Sequence, residues 1–354
     1  MEMNKVVNKA LFYKEWINVR WVTLLTIIVL SFFKVYGVIS ALNQEKMYET
    51  RQGWVLPNRW FNNGLYRGGD HYSIYFFIMV IVVIILAITL FISEKTSENQ
   101  GFIASMPFTR KEIIINKWLV GVISLLISFA VTYIFLSLFY FKNISSINTI
   151  LNPYSDIVKW FFMDTFQYIC IFTFMMLMQS VMGNSIVSSM VGGIILVVPY
   201  FITMMIQSLT ERVYGFTQYR YLIFNKICHW LNIYGYNYAN NNYLSSTAIN
   251  GMCNISYTNY KSKLLVLFLL TCLFLFLANL AYKKRNIEYN LRLIAFKNLE
   301  PVFTGGVAIC SGLLVGGIFG NDRLREFGIY FIIFTIIGYF ISKLLLLKVL
   351  SSRK

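Results

Sequence analysis

The chain has 354 residues, of which 57% are hydrophobic and only 13% are charged, and its formal net charge is +16. A soluble domain carries about 25% charged residues, and the apolar residues here come in long blocks, so a soluble enzyme of this length is excluded. The composition therefore predicts an all-α, polytopic integral membrane protein. The basic residues lie between the apolar blocks, which argues against nucleic acid as a partner. Because the sequence has no G-x-x-x-x-G-K-[ST] motif and only two histidines, we expect neither nucleotide hydrolysis nor a metal site in this chain.

Eight apolar runs are long enough for a helix to cross about 30 Å of hydrocarbon. They cover residues 21–42, 72–93, 118–141, 160–182, 186–206, 264–282, 302–320 and 327–347. An even number of spans places both termini on one side of the membrane. If that side is the cytoplasm, the inner segments hold 17 Lys and Arg residues against 7 acidic ones, so the positive-inside bias predicts cytoplasmic termini. Ahead of the first span, residues 8–20 are predicted to form an amphipathic interfacial helix.

Two charged side chains are predicted to lie within spans, where ionisable groups are the first candidates for function. Lys34 lies about 20 Å along the first span, so its side chain is expected to reach the outer headgroups; contact with a substrate or partner is the alternative. Asp164 lies one turn inside the outer end of the fourth span and is expected to be a wetted vestibule group rather than a proton relay.

Three glycines of the seventh span, Gly312, Gly316 and Gly320, are spaced by four residues. This spacing lets two helices approach closely, and the partner is either the eighth span or another subunit. In the fifth span, Pro199 predicts a kink. The longest outer loop, 207–263, is rich in Asn and Tyr and is predicted to form a partly ordered external cap. Its Cys228 and Cys253 either form a disulfide, if that side is oxidising, or stay independent.

The inner loop after the second span carries two capping patterns. Ser97 with Gln100 predicts the start of a short helix, which Pro107 ends. Thr109 with Glu112 predicts the start of the helix that forms the third span.

Apolar side chains lie between the charged ends of this short helix, among them Phe102, Ile103 and Met106. Such a segment suits docking into a groove of a cytoplasmic partner. The alternative is a plain inner loop whose apolar side lies among the lipid headgroups.

The order of these residues resembles the permease subunits of type 2 ATP-binding-cassette (ABC) transporters. Glu94 stands at the membrane end, a short polar helix and the run Ser-Met-Pro-Phe-Thr-Arg-Lys-Glu follow, and Lys117 begins the next span. That family more often has leucine where Met106 stands here. The stretch 282–301 resembles, more loosely, the arginine-x-x-glutamate loop of eight-span members from Gram-positive bacteria, which usually have glycine near Asn290.

The resemblance implies a non-catalytic transmembrane subunit that forms a homodimer, or a heterodimer with a related permease, in the lipid bilayer. A separate cytoplasmic ATPase would bind ATP and Mg²⁺, and this chain would need no cofactor. Residues 94–116 would be the coupling loop that contacts the ATPase. Its expected contact and anchoring residues are Glu94, Ser97, Gln100, Phe102, Met106, Pro107, Thr109, Arg110 and Glu112. A second cytoplasmic contact through Arg285, Glu288 and Arg292 competes with a basic loop held by anionic lipid.

The implied organisation is an N-terminal interfacial helix (1–20), a six-span permease core (21–282), and a cytoplasmic loop with an appended two-span hairpin (283–354). The implied function is ATP-driven export of an amphipathic substrate, such as an antibiotic, an antimicrobial peptide or a lipid-like molecule. The composition is typical of an AT-rich genome, and the expected location is the plasma membrane of a Gram-positive bacterium. The alternatives are an ion-coupled secondary transporter that works without an ATPase, a membrane-embedded transferase, and a non-transporting scaffold.

Overall fold

The computed structural model describes residues 8–52, 60–66, 74–95, 108–147, 149–243, 253–285, 294–320 and 324–351. Within these residues, eight helices are long and apolar enough to cross a membrane, which confirms the predicted polytopic helical fold. The candidate spans are Lys9–Gln44, Ile74–Lys95, Arg110–Lys142, Ser155–Val181, Ser185–Tyr214, Tyr260–Lys284, Glu300–Phe319 and Leu324–Leu346. Most of these helices extend beyond the apolar runs because the polar residues at the ends of the runs continue the same helices.

The helices in chain order are α1 (Lys9–Leu30), α2 (Tyr36–Gln52), α3 (Trp60–Tyr66), α4 (Ile74–Lys95), α5 (Arg110–Lys142), α6 (Ser155–Val181), α7 (Ser185–Tyr214), α8 (Gln218–Leu231), α9 (Tyr260–Lys284), α10 (Glu300–Phe319) and α11 (Leu324–Ser351). A π-helical segment, Ser31–Val35, joins α1 to α2 without a break. An antiparallel hairpin of β1 (Ala239–Tyr243) and β2 (Cys253–Tyr257) interrupts the helical pattern in the predicted outer loop.

Residues 9–20 are the first turns of α1 and not a separate interfacial element. Asn8 caps the helix, since its Oδ1 accepts a hydrogen bond of 3.0 Å from the backbone N–H of Ala10. Residues 9–30 contain neither proline nor glycine, so the helix continues to Leu30. A buried stripe repeats every three or four residues and begins at Leu11, Glu15 and Val19.

The chain divides into two compact units, and the first consists of Met1–Leu90, Lys111–Phe174 and Tyr234–Phe276. A buried ion pair joins α1 to α5 in unit 1: Lys117 Nζ lies 3.0 Å from Glu15 Oε1, and both side chains are at most 1% exposed. Lys117 also donates to the carbonyl oxygen of Leu90. About two helical turns beyond these residues, the hydroxyls of Thr23 and Ser124 hydrogen-bond at 2.7 Å.

Unit 2 consists of Phe91–Arg110, Met175–Ile233 and Leu277–Lys354. Its α10 and α11 form a hairpin in which the three glycines predicted for helix packing, Gly312, Gly316 and Gly320, face α11. A Cβ atom added at Gly312 would lie 2.8 Å from the carbonyl oxygen of Phe331, and one added at Gly316 would lie 3.0 Å from a ring carbon of Phe327. The close approach therefore joins two helices of the same chain.

The described parts of the outer loop predicted at 207–263 contain two helical segments and a hairpin. The fifth span continues as α7 to Tyr214, with Pro199 inside the helix, and α8 follows after a turn at Gly215, whose φ is +73°. Cys228 is buried on α8 as a free thiol, as expected for independent cysteines.

Candidate functional site

Six polar side chains meet where helices α4, α5, α6 and α9 reach the side predicted to be cytoplasmic, and all six belong to unit 2. This cytoplasmic cluster consists of Glu94, Lys95, Arg110, Gln179, Tyr282 and Arg285. Lys95, Gln179 and Arg285 are buried. Because buried polar groups are costly unless they are bonded, the partners of these side chains define how the helix ends are joined.

The last turn of α4, where the inner loop starts, is bonded to α9 and α6. Tyr282 Oη donates a hydrogen bond of 2.9 Å to Glu94 Oε2. Lys95 Nζ donates to Gln179 Oε1 and, at 3.0 Å, to the carbonyl oxygen of Met182. The start of the loop is therefore fixed to two other spans.

The first residue of α5, where the loop ends, is bonded to the last turn of α9. Arg110 Nη1 donates to the carbonyl oxygens of Lys283, at 3.1 Å, and Arg285, at 2.5 Å. The last carbonyls of a helix lack partners within the helix and carry a partial negative charge, so a guanidinium is a favourable partner for them. Arg285 Nη1 in turn donates to the carbonyl oxygen of Gln179 at 3.2 Å, and burial lowers the pKa of the Arg285 guanidinium below its ordinary value.

Gln179 also connects the cluster to the next span. Its Nε2 donates to the carbonyl oxygen of Ser185 and to Ser189 Oγ, both at 2.7 Å. The second cytoplasmic segment returns to the same place, because the backbone N–H of Ala295 donates to the carbonyl oxygen of Val181 at 2.9 Å. The ends of α4, α5, α6, α7 and α9 thus share one network.

The structure brings together three residues that the sequence assigned to two separate loops: Glu94, Arg110 and Arg285. Thr109 is exposed immediately before α5, and Glu112 lies in the first turn of α5. Seven predicted residues lie outside the described residues: Ser97, Gln100, Phe102, Met106, Pro107, Glu288 and Arg292.

Sequence reasoning missed Lys95 and Tyr282 as members of this cluster. Both stand at the cytoplasmic ends of apolar runs, where a lysine is expected to extend towards water and a tyrosine to lie in the interfacial belt. The available signal was their position next to the predicted loop ends, since each lies one to three residues from a residue that the sequence did single out, Glu94 or Arg285.

A second polar group, the outer polar centre, lies in unit 1 and consists of Lys34, Tyr75, Trp160 and Asp164. Asp164 Oδ2 accepts hydrogen bonds from Tyr75 Oη at 2.9 Å and from Trp160 Nε1 at 3.0 Å. Lys34 Nζ donates to the carbonyl oxygen of Leu65 at 3.0 Å and lies 4.3 Å from the centre of the Tyr75 ring. The opposite charges of Lys34 and Asp164 act on each other.

The predictions for both charged residues are wrong. Lys34 does not reach the headgroups, and Asp164 is not wetted, because their exposed fractions are 2% and 1%. The physical reason is that each provides the opposite charge for the other, and the aromatic side chains and the end of α3 supply the remaining partners.

Eight spanning helices, a polar network at their cytoplasmic ends and a buried charged centre define a multi-pass membrane protein of the transporter class. The family model described as ABC-2 family transporter protein matches residues 11–287, more than half of the chain. The chain therefore belongs to this family: it is the membrane-spanning permease subunit of an ABC transporter, located in the plasma membrane. This match confirms the resemblance found in the sequence. It includes every residue of the cytoplasmic cluster and ends before α10. Comparisons with curated proteins and with solved structures gave no match.

Proposed function

We propose that this permease couples ATP hydrolysis by a separate cytoplasmic ABC ATPase to the export of an amphipathic substrate, and that residues 94–116 are the coupling loop. One observation carries the proposal: both ends of the loop are bonded to the same cluster. Glu94 and Lys95 hold its start, and Arg110 holds its end.

This arrangement suits the transmission of force. Charge-assisted hydrogen bonds are about twice as strong as neutral ones, and here they connect the loop ends to α6 and α9. A movement that the ATPase imposes on the loop is therefore passed to two spans at once. No catalytic group is needed in this chain, because its part is to change shape when the ATPase pair closes.

The charge of the cluster supports an acidic docking groove on the ATPase. The cluster holds three cations, Lys95, Arg110 and Arg285, against one carboxylate, Glu94, and the Arg110 side chain is exposed. The amphipathic substrate class is proposed from the apolar and aromatic composition of the spans, and a homodimer or heterodimer from the family.

The experiment is purification of the tagged protein from its own cell membrane, with identification of the proteins that accompany it. Arg110→Glu is the test variant, because it reverses a charge that bonds to the end of α9. Lys111→Glu is the matched control, since it makes the same charge change at the next residue, which is exposed. We expect an ABC ATPase to accompany the wild type and the control, and its yield to fall about tenfold with Arg110→Glu, for the loss of about 1.4 kcal/mol of binding.

The amount of each variant in the membrane distinguishes lost coupling from lost folding. An equal loss of ATPase with both variants would mean that the overall charge of the face matters and the bonds of Arg110 do not. If no ATPase accompanies even the cross-linked wild type, the coupling-loop assignment fails. Transport that persists without an ATPase and is abolished by Asp164→Asn would then support an ion-coupled carrier.

A further inference from the structure

Two aromatic rings of the outer polar centre hold a cation on their faces and an acid at their edges. Lys34 Nζ lies 4.3 Å from the centre of the Tyr75 ring and 6.0 Å from that of Trp160. The polar edges of the same rings, Tyr75 Oη and Trp160 Nε1, donate to Asp164 Oδ2 at 2.9 Å and 3.0 Å. Aromatic faces attract a lysine ammonium and the cation of a ligand in the same way. Tyr75, Trp160 and Asp164 therefore form an ammonium seat, which the chain fills with its own Lys34.

The ammonium seat lies within the membrane-spanning helices of unit 1 and is closed to water. Its three residues are at most 1% exposed, and Lys34 is 2% exposed. The attraction between a cation and an aromatic face grows when water is excluded. Ionisable groups at this depth mark the routes of substrates and ions through membrane proteins. The seat thus has both the location and the strength to bind a charged head group.

The seat also has acceptors that Lys34 does not use. Lys34 Nζ donates to the carbonyl oxygen of Leu65 at 3.0 Å. Asp164 Oδ1 and Tyr168 Oη are buried with no hydrogen bond at normal geometry, although the amide of Asn237 lies beside both. Buried polar atoms are nearly always bonded, so each unbonded one calls for a donor. An alkylammonium head group has three N–H donors and can supply them.

The backbone at Lys34 is a second, independent sign of function. Lys34 lies in the π-helical segment Ser31–Val35, and π-turns inside α-helices are frequent at functional sites. Its ammonium is carried on a flexible four-carbon stem. Rotation of that side chain empties the seat while the helix stays intact.

We propose that the ammonium seat recognises the cationic head group of the transported amphipath, and that Lys34 takes the place of this head group when no substrate is bound. This inference rests on the proposed function and names its substrate class, a primary alkylammonium amphipath. Asp164 binds the N–H groups, and Tyr75 and Trp160 bind the charge, so a neutral or anionic amphipath lacks these partners. The space comes from the Lys34 side chain, which is itself an alkylammonium.

Rescue by n-propylammonium tests the seat without any ATPase. Lys34→Ala removes the outer side-chain carbons and the ammonium group, which n-propylammonium replaces atom for atom. We expect the amine to raise the thermal unfolding midpoint of the detergent-solubilised Lys34→Ala variant by about 2–4 °C. It should leave the wild type unchanged, because there the seat is filled. It should also leave the double variant Lys34→Ala with Asp164→Asn unchanged, because the carboxylate is gone.

Lys263→Ala is the matched control for this rescue. Lys263 is also buried in unit 1, and its Nζ donates to the carbonyl oxygen of Tyr236 and lies 5.5 Å from the centre of that ring. Among the described residues, no acid acts on its charge. We expect n-propylammonium to leave the midpoint of this variant unchanged. No rise with Lys34→Ala, or an equal rise with Lys263→Ala or the double variant, would overturn the seat.

The substrate class is tested in the intact transporter with its ATPase, by comparing dodecylammonium with dodecanol, which has the same chain and no charge. We expect dodecylammonium to stimulate ATP hydrolysis by the wild type and dodecanol to have no effect. In Lys34→Ala, the dodecylammonium concentration for half stimulation should fall about tenfold, because the seat no longer has to be emptied first.

Equal stimulation by the two amphipaths would overturn the proposal, and this comparison needs only the wild type if Lys34→Ala does not fold. An unchanged half-stimulating concentration in a folded Lys34→Ala variant would overturn it as well. If no ATPase accompanies the protein, the proposed function fails, whereas rescue by n-propylammonium still decides whether the seat binds an alkylammonium.

Discussion

Some cations of unit 1 pair with a carboxylate, whereas its Lys34 and Lys263 donate to backbone carbonyl oxygens, as four cations of unit 2 also do. In unit 1, Lys117 pairs with Glu15 at 3.0 Å and Lys159 with Asp156 at 2.9 Å. In unit 2, the cations donate to backbone carbonyl oxygens: Lys95 to Met182, Arg110 to Lys283, Arg212 to Gly317 and Arg285 to Gln179.

The difference has an electrostatic consequence. A carboxylate neutralises the cation that it binds, so a buried pair is fixed in place by the cost of separating it. A carbonyl oxygen satisfies the hydrogen bond and leaves the charge. The pair of Lys117 and Glu15 is therefore a fixed point of unit 1, whereas Arg110 of unit 2 joins two helix ends and stays exposed.

The largest effect is expected when the buried pair of unit 1 is broken. Lys117→Met leaves the Glu15 carboxylate buried without its cation, which costs about 3–5 kcal/mol. The expected result is a large drop in the thermal unfolding midpoint of the detergent-solubilised protein. Lys159→Met is the matched control, because that side chain is 39% exposed and its pair contributes less than about 1 kcal/mol. The double variant Glu15→Leu with Lys117→Met is expected to recover most of the loss; equal destabilisation by the single and double variants would show that packing and not charge holds this site.

A smaller effect is expected at the glycines of unit 2, where close approach replaces charge pairing. Gly312→Ala places a methyl group against Phe331, and overpacking of this kind costs about 1–3 kcal/mol. Gly305→Ala is the control on the same helix, since no atom lies within 4 Å of its added methyl group. That variant is expected to gain about 0.5–1 kcal/mol from helix propensity. The unfolding midpoints of the two variants should move in opposite directions, and a common direction would contradict the packing role of Gly312.

The smallest effect on stability is expected at Tyr282, the neutral donor to an acid in unit 2. Tyr282→Phe removes the bond to Glu94 and costs about 1 kcal/mol. Because that bond holds the start of the loop, we expect the rate of substrate-stimulated ATP hydrolysis to fall clearly while the thermal unfolding midpoint changes little. Tyr339→Phe is the control, since Tyr339 is exposed on α11. A parallel fall in the midpoint and in hydrolysis would reduce Tyr282 to a structural residue.

The spans and the loop ends were predictable from sequence for physical reasons. A run of about 20 apolar residues is stable in a bilayer as a membrane-spanning α-helix, which is why all eight helices were found. Glu94 and Arg110 were found because they flank a recognisable loop. The partners of Arg110 could not be found in this way. Every residue has a backbone carbonyl, so the sequence does not show that those of Lys283 and Arg285 accept these bonds.

The partners within the outer polar centre could not be predicted from the sequence either. Lys34 and Asp164 are 130 residues apart in the chain, and each charged side chain, considered by itself, is expected to be solvated. Only the packing of two spans makes them partners. The burial of residues 234–237 was missed because their composition, rich in Tyr and Asn, is that of an exposed loop, whereas the carbonyl oxygens of Tyr234 and Tyr236 accept hydrogen bonds from Gln167 and Lys263.

The π-helical segment Ser31–Val35 lets the two halves of the first span, α1 and α2, bury faces that are rotated relative to each other. A π-turn holds one residue more than an α-turn, so the face that α1 buries and the face that α2 buries are offset by that residue. Deleting one residue there would rotate α2 by about 100° and leave α1 as it is. The rotation would turn the buried Val38 outwards and withdraw Gly37 from Gly64, whose carbonyl oxygen lies 3.1 Å from the position of a Gly37 Cβ. The extra residue of the π-turn thus helps to orient the Lys34 side chain towards its partners.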